Sequence, residues 1–192
     1  MVKISFLWVF SPDQRQANRV CWTGSLQCSV FMAGGTDLLI GEFVRSFDDR
    51  HRLAIPPELA SPLMAGGRKC ALAKERQGCL SIWTQSEWKL QVESAVDVLR
   101  AKWKAGLLVQ RSSQVQDVGR LLSTRHRWVS LAGRGRLVVP EGFREFLGVE
   151  PGGTVIVVGA AVCIELWQPS AWHAFITAEM PQFRQQLGEL IG

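Results

Sequence analysis

Four arginines carry the clearest chemical signal in this chain. Arg134 and Arg136 stand among glycines in "LAGRGRLVVPEGFREFLG", which starts at Leu131, and Arg50 and Arg52 stand in "SFDDRHRLAIPPELASPL", which starts at Ser46. A guanidinium is a planar fork of donors that matches phosphate oxygens or the edge of a guanine. Gly133-Arg134-Gly135 could alternatively begin a loop that cradles the phosphates of a small cofactor. A dinucleotide site needs a third glycine three residues further on, opening a helix, and an acidic residue about 20 residues later. Here the third glycine is missing, and Leu137-Val138-Val139-Pro140 reads as a short strand ended by proline. No cofactor and no small-molecule substrate are expected.

The two stretches are copies of one another. Aligned without a gap at an offset of 84 residues, Ser46/Ser130, Arg50/Arg134, Arg52/Arg136, Leu53/Leu137, Pro56/Pro140 and Leu63/Leu147 are identical. The same offset brings together Cys79/Cys163, Trp83/Trp167, Ser86/Ser170 and Trp88/Trp172. Most differences between them exchange one apolar residue for another, as in Ile55/Val139 and Leu80/Ile164. The chain is a tandem duplication, so any role for the glycines must belong to a unit that occurs twice.

Catalytic chemistry finds little support. H-E-x-x-H, G-K-S/T and G-x-S-x-G are all absent, and the only adjacent carboxylates, Asp48-Asp49, correspond to Ala132-Gly133 in the other copy. The five cysteines include no C-x-x-C pair, and the three histidines, His51, His126 and His173, do not coincide under the repeat. Reduced thiols and no metal site are the expectation. A net charge of +5 leans mildly toward an anionic partner.

The elements that must position the arginines follow from pattern. In the first copy residues 39–47 read as a strand, 48–51 as a tight charged turn, 52–55 as a second strand, and Pro56-Pro57-Glu58-Leu59 as the start of a short helix. Strands at 70–74 and 79–83 form a hairpin around a turn at 75–78, and the second copy repeats it with strands at 154–158 and 162–167 and a turn near Gly159-Ala160. Thr84 with Glu87 three residues later suggests a capping box, flanked by Trp83 and Trp88 as a hydrophobic staple; Trp167 and Trp172 repeat the staple, with Pro169 at the first helical position. These tryptophans read as core packing in preference to base-stacking. Residues 87–122 look mostly helical, with a break near Arg111-Ser112-Ser113. The apolar run at residues 4–10 is too short for a membrane span, and residues 1–38 match nothing in the repeat. They read as a disordered extension or a mis-assigned start, with Met32 as an alternative first residue.

A strand, a basic turn, a second strand ending in proline, a hairpin ending in tryptophan and a helix carrying another tryptophan, all present twice, resemble the MraZ family. These are bacterial transcriptional regulators built from two SpoVT-AbrB-type domains. The resemblance covers about residues 39–175. It implies domains at 42–87 and 126–171, a helical connector at 88–125 and a C-terminal tail at 172–192. The fold it implies is α+β, mainly β: a tandem, pseudo-twofold swapped-hairpin barrel of AbrB type with connecting helices.

The same resemblance implies sequence-specific binding of double-stranded DNA at repeated promoter elements of the division and cell-wall gene cluster, by a ring-like homo-oligomer in the cytoplasm, associated with the nucleoid. Arg50, Arg52, Arg134 and Arg136 would contact DNA, and Asp48, His51, Gly133 and Gly135 would shape the turns. The family motif is an aspartate, three residues ending in glycine, an arginine, and an apolar run ending in proline. Here His51 stands for the glycine in the first copy and Ala132 for the aspartate in the second. Two alternatives stay open: Arg52 pairs with Asp48 and only steadies the turn, or the chain is an assembly protein of this fold that has lost DNA binding.

Overall fold

The computed structural model describes residues 38–192. The expectation for the N-terminal extension therefore lies outside the described residues. The chain is α+β, dominated by antiparallel sheet. Each copy opens with a strand, β1 (Leu39–Ser46) and, in the second, β5 (His126–Ser130). Each continues through its basic turn into a three-residue strand, β2 (Arg52–Ala54) or β6 (Arg136–Val138). A short helix follows, α1 (Pro57–Ala65) or α4 (Glu141–Leu147), and then a hairpin. The hairpins are β3 (Lys69–Arg76) with β4 (Cys79–Thr84), and β7 (Thr154–Ala161) with β8 (Ile164–Trp167).

The first strands cross between copies. β1 pairs with β7, from Leu39 opposite Ala161 to Ser46 opposite Thr154, and β5 pairs with β3, from His126 opposite Ala73 to Ser130 opposite Lys69. β4 pairs with β8 at the centre, giving a six-stranded antiparallel order β1-β7-β8-β4-β3-β5. β2 and β6 form a separate two-stranded ribbon. The expected closed barrel is not formed: the sheet is open, with β1 and β5 at its edges. The reason lies in β2 and β6, which spend their ladder on one another and so do not bridge those edges.

Alternation explains the layers. On β3, Cys70 and Leu72 face the main core, while Ala71 and Ala73 face Trp83 and Trp88. On β7, Val155 and Val157 face the main core, while Ile156 packs with Trp167, Trp172 and Phe175. The strands are thus apolar on both faces, because each face is covered. α1 and α4 contribute Leu59, Leu63, Phe143 and Leu147 to the core side, and burial of each such side chain contributes about 1.5–3 kcal/mol.

Both tryptophan staples form. Trp83 and Trp88 approach to 6.3 Å between ring centroids, and Trp167 and Trp172 to 5.3 Å. Thr84 caps α2 (Gln85–Lys104) by accepting the Glu87 N–H, and Pro169 opens α5 (Pro169–Glu179). The connector breaks earlier than expected: α2 ends at Lys104, and Ser112 opens the next helix, α3 (Ser112–Arg125), instead of lying in a gap. A last helix, α6 (Phe183–Ile191), closes the chain. The second hairpin turn also falls later than expected. Gly159 is a strand residue, and its missing side chain admits β1, since a Cβ there would stand 2.6 Å from the backbone of Leu39.

Candidate functional site

The β2–β6 ribbon carries Arg52 and Arg136, and the turns at its two ends carry Arg50 and Arg134. Its register sets Arg52 opposite Val138, Leu53 opposite Leu137 and Ala54 opposite Arg136. Leu53 and Leu137 occupy equivalent positions in the repeat and are fully buried, so they anchor the underside. Alternation then turns Arg52, Ala54, Arg136 and Val138 to the opposite face. Arg52 and Arg136 stand diagonally across it, about 7–8 Å apart at the backbone. The two basic turns sit at opposite ends of the ribbon, one preceding each strand, and both Arg50 and Arg134 are exposed.

Each turn is tied to the other copy. The backbone N–H of Val139 donates to the carbonyl of His51 at 3.1 Å, and the N–H of Ile55 donates to the carbonyl of Gly135 at 3.0 Å. His51 and Gly135 occupy the same place in the repeat, as do Ile55 and Val139. The demand for a left-handed backbone there is real: φ is 54° at His51 and 73° at Gly135. His51 meets it as one of the residue types that tolerate positive φ. Its ring lies 6.2 Å from that of Phe47 and lines a shallow cavity with Glu141, Arg144, Glu145 and Glu150.

Internally the turns differ. In the first, Oδ1 of Asp48 accepts the backbone N–H groups of Arg50 and Arg52, both at 2.9 Å, and Oδ2 accepts Nε–H of Arg52 at 2.5 Å. The Arg52 backbone N–H is the main cause that holds the Asp48 carboxyl below its ordinary value; desolvation opposes it, and the Arg52 side chain and Arg50 N–H reinforce it. In the second turn the carbonyl of Ala132 accepts the N–H of Gly135 at 3.0 Å, as the carbonyl of Asp48 accepts that of His51 at 3.0 Å in the first, and it also takes the N–H of Arg136 at 3.2 Å. Arg134 there takes a left-handed φ of 62°. No ion pair or side-chain hydrogen bond engages the guanidinium groups of Arg50, Arg134 or Arg136 among the described residues.

Sequence reasoning missed Ala54 and Val138, which stand between the arginines on the same face, Val138 with 52 % of its surface exposed. The signal was present: in Arg52-Leu53-Ala54 and Arg136-Leu137-Val138 the two-residue period of a strand puts the first and third residues together. The thiols of Cys70, Cys79 and Cys163 are buried. Burial pushes Cys70 up to about 11 and Cys163 up to about 12, and Cys79 is raised as well. Among the described residues no group of three or more His, Cys, Asp or Glu is gathered for a metal ion.

Comparison with known proteins finds relatives that share one name. A family model described as "MraZ protein" matches residues 128–189. The transcriptional regulator MraZ of Thermomicrobium roseum is 26% identical over 157 residues, covering 80% of this chain and 100% of that protein. The regulator of the same name from a Roseiflexus species is 28% identical, covering 80% of this chain and 99% of its own. That of Alkaliphilus metalliredigens is 29% identical, covering 72% and 86%. With a doubled unit, a turn motif in each copy and relatives matched along nearly their whole length, the chain is similar to the transcriptional regulators named MraZ.

Proposed function

We propose that this protein is a transcription regulator that binds double-stranded DNA through the β2–β6 ribbon. The observation that carries the reading is the register of that ribbon, which gathers Arg52 and Arg136 on one exposed face and sets Arg50 and Arg134 at its two ends. A two-stranded ribbon fits the major groove, which is about 12 Å wide. Forked donors on its outer face then meet base edges and phosphates, and Val138 suits the methyl group of a thymine. Its relatives carry the name of a transcriptional regulator.

The exchange of first strands between copies supports an interlocked, swapped-hairpin arrangement, which holds the two turns at a fixed spacing. Several chains joined in a ring would multiply that spacing and engage repeated elements before the division and cell-wall genes. Linked sites raise overall affinity well beyond that of one or two turns. No helix among the described residues is long and apolar enough to cross a membrane, and the place of action we propose is the cytoplasm, at the nucleoid. We read the chain as a binding protein and not as an enzyme.

The test is a gel shift with duplex DNA from upstream of the protein's own gene. The wild type shifts it, and Arg134→Ala/Arg136→Ala, melting as the wild type does, does not. Each arginine contact that is lost, whether to a base edge or to a phosphate, weakens binding. A folded, multi-chain wild type that shifts no duplex would instead identify an assembly protein that has lost DNA binding.

A further inference from the structure

The two ends of the ribbon are unequal. At the first, Asp48 grips Arg52 through Nε, and Asp49, Glu141, Glu145 and Glu150 lie on or beside the turn, outnumbering Arg144 among them. At the second, Ala132 and Gly133 replace both aspartates, and the backbone leading into the turn is tied to Arg68, whose carbonyl accepts the Leu131 N–H at 2.9 Å. From this inequality we infer that the turns divide the work: Arg52, positioned by Asp48, discriminates base edges, while Arg134 and Arg136 anchor the phosphate backbone of any sequence. The inference rests on the proposal that the ribbon binds DNA and adds the role of each turn.

A bond at Nε leaves the terminal nitrogens of Arg52 available and fixes the plane of the fork. Bidentate recognition of a guanine needs that plane, and the ordering cost is met before DNA arrives. The acidic surroundings also make the first turn a poor phosphate binder, since like charges repel, so its favourable contacts are restricted to the right bases. The second turn has the opposite character. Arg134 and Arg136 are exposed, carry no carboxylate partner among the described residues and can follow a phosphate wherever it lies. Such contacts position without specifying and give binding its dependence on salt. Asp48 is on this reading a positioning residue, acting on DNA only through Arg52.

The experiment selects preferred duplexes from a randomised library with the full-length wild type. Affinity for the selected duplex and for a scrambled duplex is then measured over a range of salt. Asp48→Asn keeps an oxygen for the two backbone N–H groups but sets an amide against Nε of Arg52. It should lower the ratio of selected to scrambled affinity about tenfold while binding the scrambled duplex at least as tightly. Arg52→Lys keeps the charge and loses the fork, and should lower the same ratio with the salt slope of the wild type. Arg136→Ala should weaken both duplexes alike and reduce the salt slope by about one. Ala132→Asp, which gives Arg136 the carboxylate that Arg52 has, should weaken scrambled binding and flatten its salt dependence. A wild-type ratio in either Asp48→Asn or Arg52→Lys overturns the division of work and leaves DNA binding standing, as does a wild type that binds DNA but selects no sequence. A wild type that binds no duplex overturns the ribbon reading, and the division with it.

Discussion

Asp48 and Ala132 show how much one carboxylate decides about a turn. With it, the N–H groups of Arg50 and Arg52 are both satisfied by the same oxygen, and His51 is the one left-handed residue in the turn. Without it, the Ala132 carbonyl accepts two N–H groups, and both Arg134 and Gly135 become left-handed. The two glycines of the second turn are consequently not equivalent, although the sequence reading grouped them. A Cβ on Gly135 would stand 2.7 Å from the Cβ of Ala60 and 3.1 Å from the carbonyl oxygen of Ile55, at a φ of +73°. A Cβ on Gly133 would meet nothing within 4 Å. Gly135→Ala is therefore expected to destabilise the protein by about 1–3 kcal/mol. Gly133→Ala should be neutral or stabilise it by up to about 1 kcal/mol. Urea midpoints at constant slope would show the difference, and equal effects from the two substitutions would refute it.

The strands and helices of each copy were legible because their signals are local: alternation, a proline that ends a strand, a threonine cap between two tryptophans. What escaped the sequence was set by distant neighbours. β3 and β4 change register between Lys74 and Arg76, so that Glu75 has no partner on β4, whereas β7 and β8 keep one register throughout. This extra residue displaces β5 by one position on β3 relative to β1 on β7, and no motif announces it. Glu75 is held there by Arg125, 50 residues away, whose Nη2 donates to its Oε2 at 2.9 Å. Its other oxygen accepts the hydroxyl of Ser81 at 2.6 Å, and Ser81 in turn accepts the indole N–H of Trp83 at 2.7 Å. In the second copy the equivalent of Ser81 is Glu165, which takes the Trp167 indole N–H directly at 2.9 Å. Ser81 and Glu165 face one another across β4 and β8, so both indoles are satisfied at the centre of the sheet. Ser81→Ala should strand the buried Trp83 donor and cost about 1–3 kcal/mol. Thermal melts of that variant beside Ser86→Ala, at an exposed position, would isolate the effect, and matching losses would count against the network.

At the scale of the whole molecule the duplication has an energetic consequence. A repeat that kept its own first strand would pair β1 with β3 and β5 with β7, and each half would have a complete sheet. Here the pairings are crossed, the ribbon takes one strand from each copy, and Leu53 is sealed by Leu137. Either half alone loses the partner of its first strand, the partner of its ribbon strand and the β4–β8 contact at the centre. Unpaired strand edges of that kind are sticky and contribute little stability of their own. Closing pairs so far apart in sequence also makes folding wait on long-range contacts. We therefore expect the described residues to unfold in a single cooperative step, although the sequence divides them into two similar units. Cutting the chain between Lys104 and Ser112, where α2 has ended and α3 begins, supplies the decisive comparison. Each fragment by itself should be unfolded or self-associated, and an equimolar mixture should recover the circular dichroism and the melting temperature range of the intact protein. Two separate calorimetric transitions, or a fragment that folds as a stable monomer, would show that the crossed pairings are dispensable and that each turn could be presented to DNA by its own half.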